Sequence, residues 1–252
     1  MLLQDKNAIV YGTGSIGSAV ARAFAAEGAR VHLAGRTPDR LERVAEEIRA
    51  AGGSVETAQL DALDEAAVDA HADAVAARAG SIDISVNVIS VGDVQGTPMV
   101  EMSLVDYERP IVTAVRTQFL TARAAARHMI EQRSGVILMF GGDGGRDPIR
   151  DYSIGGFQVA LNAVEAMRRQ LASELGSHGV RVVTLHTGGV LESIPEDFEG
   201  RDTIVDMIVG ATMLKRAATL ADVGNVACFA ASDRAGSITA AALNITCGAV
   251  CD

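Results

Sequence analysis

Six residues near the start of the chain, Gly12-Thr13-Gly14-Ser15-Ile16-Gly17, have the G-x-G-x-x-G spacing that lets a backbone wrap the phosphates of a dinucleotide. The three glycines serve different ends. One turns the chain sharply, one lets the backbone close on a pyrophosphate, and one packs a helix against a strand. The turn follows an apolar run, Ala8-Ile9-Val10-Tyr11, and opens a helical run at Ile16. Thr13, Ser15, Ile16 and Gly17 would therefore offer unpaired N–H groups and a positive helix end to anionic oxygens. In Ala34-Gly35-Arg36-Thr37-Pro38, an arginine stands where a carboxylate would bond the ribose 2′-hydroxyl of NAD(H). A guanidinium there, with Thr37 beside it, suits the 2′-phosphate of NADP(H) instead. The plain alternative is a solvated arginine at a helix start. Leu60-Asp61-Ala62 could set Asp61 against an adenine amino group or be an ordinary turn. Asn87-Val88-Ile89-Ser90 would run beside the adenosine ribose, or Asn87 could be a satisfied core amide.

Each of these loops follows an apolar run of strand length, and the runs alternate with longer amphipathic ones. Strands are predicted at 8–11, 30–33, 54–59, 84–88, 136–140, 180–185 and 242–245, and helices at 16–27, 38–51, 65–79, 111–131, 157–175 and 220–231. Repeated βα units require parallel strands joined by right-handed crossovers, with helices on both faces. The expected fold is α/β: one Rossmann-like domain over residues 1–252, a doubly wound parallel sheet of about seven strands. Segment 191–214 is less regular and reads as a loop with short helices, a candidate substrate lid. Ligands of such sheets bind beyond the carboxyl ends of the strands, where the candidate loops fall.

Composition narrows the partners. A formal charge of -10 argues against nucleic acid or an anionic membrane, while backbone amides and one arginine still suffice for an anionic cofactor. Cys228, Cys247 and Cys251 are odd in number, lack C-x-x-C spacing, and read as reduced thiols. No metal-ligand pattern is seen. The opening residues lack signal-peptide character, and no apolar run approaches the ~20 residues that span a bilayer. A cytoplasmic protein is expected.

Longer stretches carry a resemblance. His32-Leu33-Ala34-Gly35-Arg36-Thr37-Pro38-Asp39-Arg40-Leu41-Glu42, Thr121-Ala122-Arg123-Ala124-Ala125-Ala126-Arg127-His128-Met129 and Leu171-Ala172-Ser173-Glu174-Leu175-Gly176 resemble the short-chain dehydrogenase/reductase family in order and spacing. The likeness runs over nearly the whole chain, and the first stretch is similar to NADP-preferring members. It implies hydride transfer between a nicotinamide and a small carbonyl, enone or alcohol substrate. It also implies a homotetramer or homodimer built through the long helices, with Gly188 and Val190 near the nicotinamide amide. Two motifs depart from the pattern. The first turn is one residue shorter than the family's T-G-x-x-x-G-x-G, and Asn87-Val88-Ile89-Ser90 keeps only the first asparagine of N-N-A-G.

The larger departure concerns protons. Family members use a tyrosine, a lysine four residues later that lowers the phenol's pKa, a serine about thirteen residues earlier and a helix asparagine. Anchored on Leu171-Ala172-Ser173-Glu174-Leu175, the frame puts Phe157, Leu161, Gly144 and Ala114 at those positions. Phe157, Leu161, Val164, Leu171 and Leu175 recur at helical intervals and read as core. A phenyl ring and an isobutyl group hold no transferable proton. Tyr152 is the substitute candidate, read against a surface or packing role. Asp143, with Asp147 and Asp151 in the same Gly-rich loop, could face substrate. His186, expected just after the sixth strand, could act as acid or base, or be a hydrogen-bonded strand-end histidine. The leading expectation is an NADP(H) oxidoreductase without the usual relay. The alternatives are a non-redox isomerase, cyclase or dehydratase using Asp143, Asp151 or His186, and a silent cofactor-binding partner subunit.

Overall fold

A computed structural model describes residues 1–141, 152–197 and 200–251. Its framework is one seven-stranded sheet. The strands are β1 (Asn7–Tyr11), β2 (Arg30–Gly35), β3 (Ser54–Gln59), β4 (Ile84–Asn87), β5 (Gly135–Gly141), β6 (Val180–Thr187) and β7 (Ala241–Ile245). Their order is β3-β2-β1-β4-β5-β6-β7, and every pairing is parallel. The order reverses between β1 and β4, where the helices that follow the two strands leave on opposite faces.

Side-chain alternation along the strands divides the core in two. Ala8, Val10, Val31, Leu33, Val136, Leu138, Val183 and Leu185 meet α1 (Ser15–Ala26), α2 (Pro38–Ala50) and α7 (Leu220–Ala231). Ile9, Tyr11, Ile137, Met139, Val180 and Val182 meet α3 (Glu65–Ala79), α4 (Leu104–Gln132) and α5 (Gly156–Leu175). Covering both faces explains why the strands read as continuous apolar runs. The helices show the complementary stripe: α2 buries Leu41, Val44, Ala45 and Ile48, spaced by three and four.

The boundaries depart from expectation in three places. Helix α4 begins at Leu104, well before 111, because Ser103 caps it, its Oγ accepting from the Asp106 N–H at 3.1 Å. Pro110 sits inside this helix and forfeits one backbone bond there. Strand β6 continues through Thr187, since His186 still pairs with Gly141 on β5 and with Asn244 on β7. His186 is thus a strand residue and not a loop residue. In the segment expected to be a lid, α6 (Arg201–Ala211) is a helix of 11 residues that buries none of its side chains. Val190 and Ala218, which flank the segment, pair in an isolated bridge.

Candidate functional site

The glycine turn lies at the reversal of strand order. Gly12 adopts φ +115°, which a side chain would strain, and a Cβ on it would stand 2.8 Å from the Val88 carbonyl oxygen. Tyr11 and Gly12 are held from both sides: Val88 N–H donates to the Tyr11 carbonyl at 2.9 Å, and Gly12 N–H to the Ala34 carbonyl at 2.9 Å. A Cβ on Gly17 would meet the Gly12 carbonyl and stand 2.9 Å from Val88 Cγ2, so α1 approaches the sheet at a distance only glycine permits. Gly14 is the opposite case. Nothing lies within 4 Å of its missing side chain, and as N-cap of α1 it provides no side-chain hydrogen bond. With no side-chain cap, the first N–H groups of the helix keep their capacity for an anion.

Arg36 and Thr37 follow β2 on the same edge, both exposed. Gln59 Nε2 donates to the Arg36 carbonyl at 3.3 Å and fixes the backbone there. The Arg36 guanidinium forms no ion pair among the described residues. Thr37 caps α2 without a side-chain bond, so its hydroxyl is uncommitted as well. Thr13 connects this loop to the turn, its Cγ2 lying 3.5 Å from where a Gly35 Cβ would stand. Asp61 accepts the Leu63 N–H at 3.0 Å, the geometry of a turn carboxylate, with Ala62 buried beside it. Asn87 is only 3 % exposed and spent inside the protein. Its Oδ1 accepts the Ile89 N–H at 3.1 Å, its Nδ2 donates to Thr121 Oγ1 at 3.1 Å, and its carbonyl accepts from Gln118 Nε2 at 3.2 Å. Gln118 and Thr121 were not singled out from the sequence, although polar residues three apart on the inner side of an Ala-rich helix carry that signal.

At the other half of the edge, Asp143, Asp147, Asp151 and Gly144 lie outside the described residues. Tyr152 is partly buried, and its hydroxyl is 3.9 Å from where a Gly96 Cβ would stand. A bond from the Gly96 N–H to the Ser153 carbonyl (2.7 Å) joins the β4–α4 loop to the segment before α5. Helix α5 opens against α4 so closely that a Cβ on Gly156 would overlap the Tyr107 carbonyl. Phe157 is half-buried on the apolar cluster that Ile89, Val91 and Ile111 also join, and Leu161 is buried. Ala114 is buried on α4. His186 is 6 % exposed, and its Nε2 has no hydrogen-bond partner among the described residues. Gly188 packs near Thr246, and α6 rests on the neighbouring Gly189 through Ile208. Val190 is buried in the cluster below. Among the described residues, no three His, Cys, Asp or Glu side chains are grouped to hold a metal ion, and no helix is long and apolar enough to cross a membrane.

A parallel sheet wound in both directions, with a glycine turn and free helix N–H groups at its switch point, defines a dinucleotide-binding Rossmann-type protein. Comparison with known sequences and structures narrows the class. The family profile described as enoyl-(acyl carrier protein) reductase matches residues 10–249. D-threitol dehydrogenase of Mycolicibacterium smegmatis is 31% identical over 250 residues, covering 98% of this chain and 93% of its own. The uncharacterized oxidoreductase YxbG of Bacillus subtilis is 29% identical, covering 94% and 88%. A short-chain type dehydrogenase/reductase from Mycobacterium marinum superimposes with TM-score 0.88 at 29% identity, covering 99% of this chain and 97% of that one. One from Serratia marcescens gives TM-score 0.85 at 27% identity, covering 97% and 98%. The chain belongs to the short-chain dehydrogenase/reductase family, a family of nicotinamide-dependent oxidoreductases.

Proposed function

We propose that this protein is an NADP(H)-binding oxidoreductase that acts on a small carbonyl, enone or alcohol without the family's tyrosine–lysine relay. The observation that carries the cofactor choice is Arg36, exposed beside the glycine turn with its guanidinium unpaired among the described residues. The chain's own groups suit the whole nucleotide. N–H groups from Thr13 to Gly17 would take the pyrophosphate, and Arg36 with Thr37 the 2′-phosphate. Asp61 and Ala62 would flank the adenine, Asn87 to Ile89 the ribose, and Gly188 to Val190 the amide of the nicotinamide. Bound there, the nicotinamide would supply or accept a hydride.

Phe157 and Leu161 support the second half of the reading, since neither can move a proton near the ring. Tyr152, held over the β4–α4 loop, is then the substitute donor. Reduction of an activated C=C tolerates that arrangement best, because solvent can deliver its proton. Segment 191–214 is the lid, hinged where Val190 meets Ala218. Val105, Val112 and Phe119 on α4 and Val159 on α5 are exposed apolar side chains, which supports homo-oligomers formed through these helices. Three free cysteines fit a reducing, cytoplasmic setting.

Calorimetry with both nucleotides tests the assignment. Arg36→Ala should weaken NADPH binding by on the order of 1–3 kcal/mol and leave NADH binding nearly unchanged. Equal losses for the two nucleotides would remove Arg36 from the 2′-phosphate and NADP(H) from the reading.

A further inference from the structure

A polar cavity of about 110 Å³ opens at the amino ends of β2 and β3, away from the loops that would hold a dinucleotide. Its volume is several times what one ordered water needs. Parallel pairing sets Arg30 beside Ser54 and His32 beside Glu56. All four point to the α3 side, because Val31 and Val55 between them pack into the opposite cluster. Arg78, in the last turn of α3, also lines the cavity and donates through Nη2 to Glu56 Oε2 at 3.1 Å. His32 is 5 % exposed, yet neither ring nitrogen has a hydrogen-bond partner among the described residues. Its Nδ1 stands 3.6 Å from Glu56 Oε2, too far for a hydrogen bond. Arg30 makes no ion pair, and Ser54 no side-chain hydrogen bond, among the described residues. Four groups with donors to spare thus surround one carboxylate.

We propose that this cavity binds a hydrogen phosphate ion, its oxygens held by Arg30, Arg78, Ser54 and His32 and its own O–H donated to Glu56. Charge sets the class of ligand. Two guanidiniums outweigh one carboxylate, so the cavity favours an anion even in a chain whose formal charge is -10. Burial lowers the His32 imidazole, so the ring is neutral at pH 7 and contributes an N–H, not a charge. Glu56 sets the identity within that class. A carboxylate only accepts, so beside an anion it needs a ligand that carries a proton. Phosphate keeps one at neutral pH and sulfate does not. The exposed Glu56–Arg78 pair is worth little by itself, which leaves both groups able to turn to a ligand. The Ala79 carbonyl, which ends α3 and would repel an anion, is taken by Asn7 Nδ2 at 3.4 Å. None of these residues belongs to the nucleotide site proposed above.

Calorimetry at neutral pH and constant ionic strength tests the site, with potassium phosphate and potassium sulfate as titrants and no nucleotide present. Phosphate should saturate by about 10 mM and bind roughly tenfold or more tightly than sulfate. Arg30→Gln should weaken phosphate binding by about tenfold or more, the loss of a charge-assisted bond. Glu56→Gln should bring the two ions to within about threefold of each other, since an amide also donates. Absence of saturation, equal affinity of the wild type for both ions, or a phosphate affinity that Arg30→Gln leaves alone overturns the proposal. So does an affinity that follows Arg36→Ala instead, which would place the ion in the nucleotide cleft. A protein that binds no NADPH but shows the phosphate selectivity and its loss in Arg30→Gln leaves this site standing. Should Arg30→Gln fail to fold, Arg78→Gln on the exposed last turn of α3 takes its place in the comparison.

Discussion

Phe157 and Tyr152 lie five positions apart, yet the fold treats them differently. Phe157 packs on the apolar cluster beneath α4, while Tyr152 is only partly buried, its hydroxyl 3.9 Å from where a Gly96 Cβ would stand. A phenol there, with no lysine beside it, donates a proton only where the reaction itself generates enough basicity, as an enolate does. Tyr152→Phe should therefore slow NADPH-dependent reduction of an enone by about tenfold or more, followed as loss of nicotinamide absorbance in single turnovers. An unchanged rate would leave solvent as the donor. Residue type alone disclosed the phenyl and isobutyl groups at 157 and 161. It could not place Tyr152, because a loop residue takes its direction from the strands and helices around it. Asn87 teaches the same point: its amide is consumed by Ile89 and Thr121, bonds to a neighbour in sequence and to a helix far along the chain.

Helices state their beginnings more clearly than their neighbours. Helix α7 opens with a complete capping box, Thr219 Oγ1 accepting the Asp222 N–H at 3.0 Å and Asp222 accepting the Thr219 N–H at 3.0 Å. The Thr219 N–H, followed by Arg216 at 2.6 Å, holds the Asp222 carboxyl below its usual range. Thr219→Ala should cost about 1 kcal/mol, read from urea unfolding midpoints, while Thr219→Ser should retain most of it. Between α3 and α4 the charges are less legible. Arg123 reaches Glu65 (2.6 Å) and Asp69 (2.7 Å), and Arg127 and His128 reach Asp73 (3.1 and 2.8 Å). Periodicity puts each of these residues on a polar face; it does not say that the two faces meet. The start of α4 is illegible in the sequence for a related reason, since Pro110 interrupts the pattern that the helix then carries through.

At the scale of the whole molecule, the least expected feature is a polar pocket within the α3 side of the core. His71 on α3 meets the Tyr11 ring edge-on, with centroids 5.9 Å apart, and His32 on β2 approaches Glu56 at 3.6 Å. Burial, followed by the nearby His32 and Arg78, pushes the His71 imidazole down to about 4; burial also lowers His32, against the pull of Glu56. Burial and then Asp69 raise the Tyr11 phenol. His71 stays neutral in the fold at pH values where the unfolded chain, with its ordinary imidazole, binds a proton. Its contribution is therefore complete above the unfolded pKa of 6.5 and is lost as pH falls toward 4. Since His71 is partly exposed, the loss is about 2 kcal/mol over that window. Unfolding midpoints at intervals between those pH values should fall accordingly, and His71→Phe should flatten that limb. A wild-type midpoint that holds level down to pH 4 would remove the imidazole from the stability balance.

Local rules were enough for the alternation of strands and helices, the parallel sheet, the glycine turn and the arginine after β2. They act within a few residues through dihedral freedom, hydrophobic period and the free N–H groups of a helix start. Assembly had to supply the rest. Whether His186 belonged to a strand depended on β5 and β7 lying on either side of it. Whether Asn87 had an amide to spare depended on α4. The approach of Glu165 to Gly141 needed α5 to lie across the ends of two strands. Each outcome turns on a contact between segments distant in sequence, whose energy exists only after the chain has closed around it.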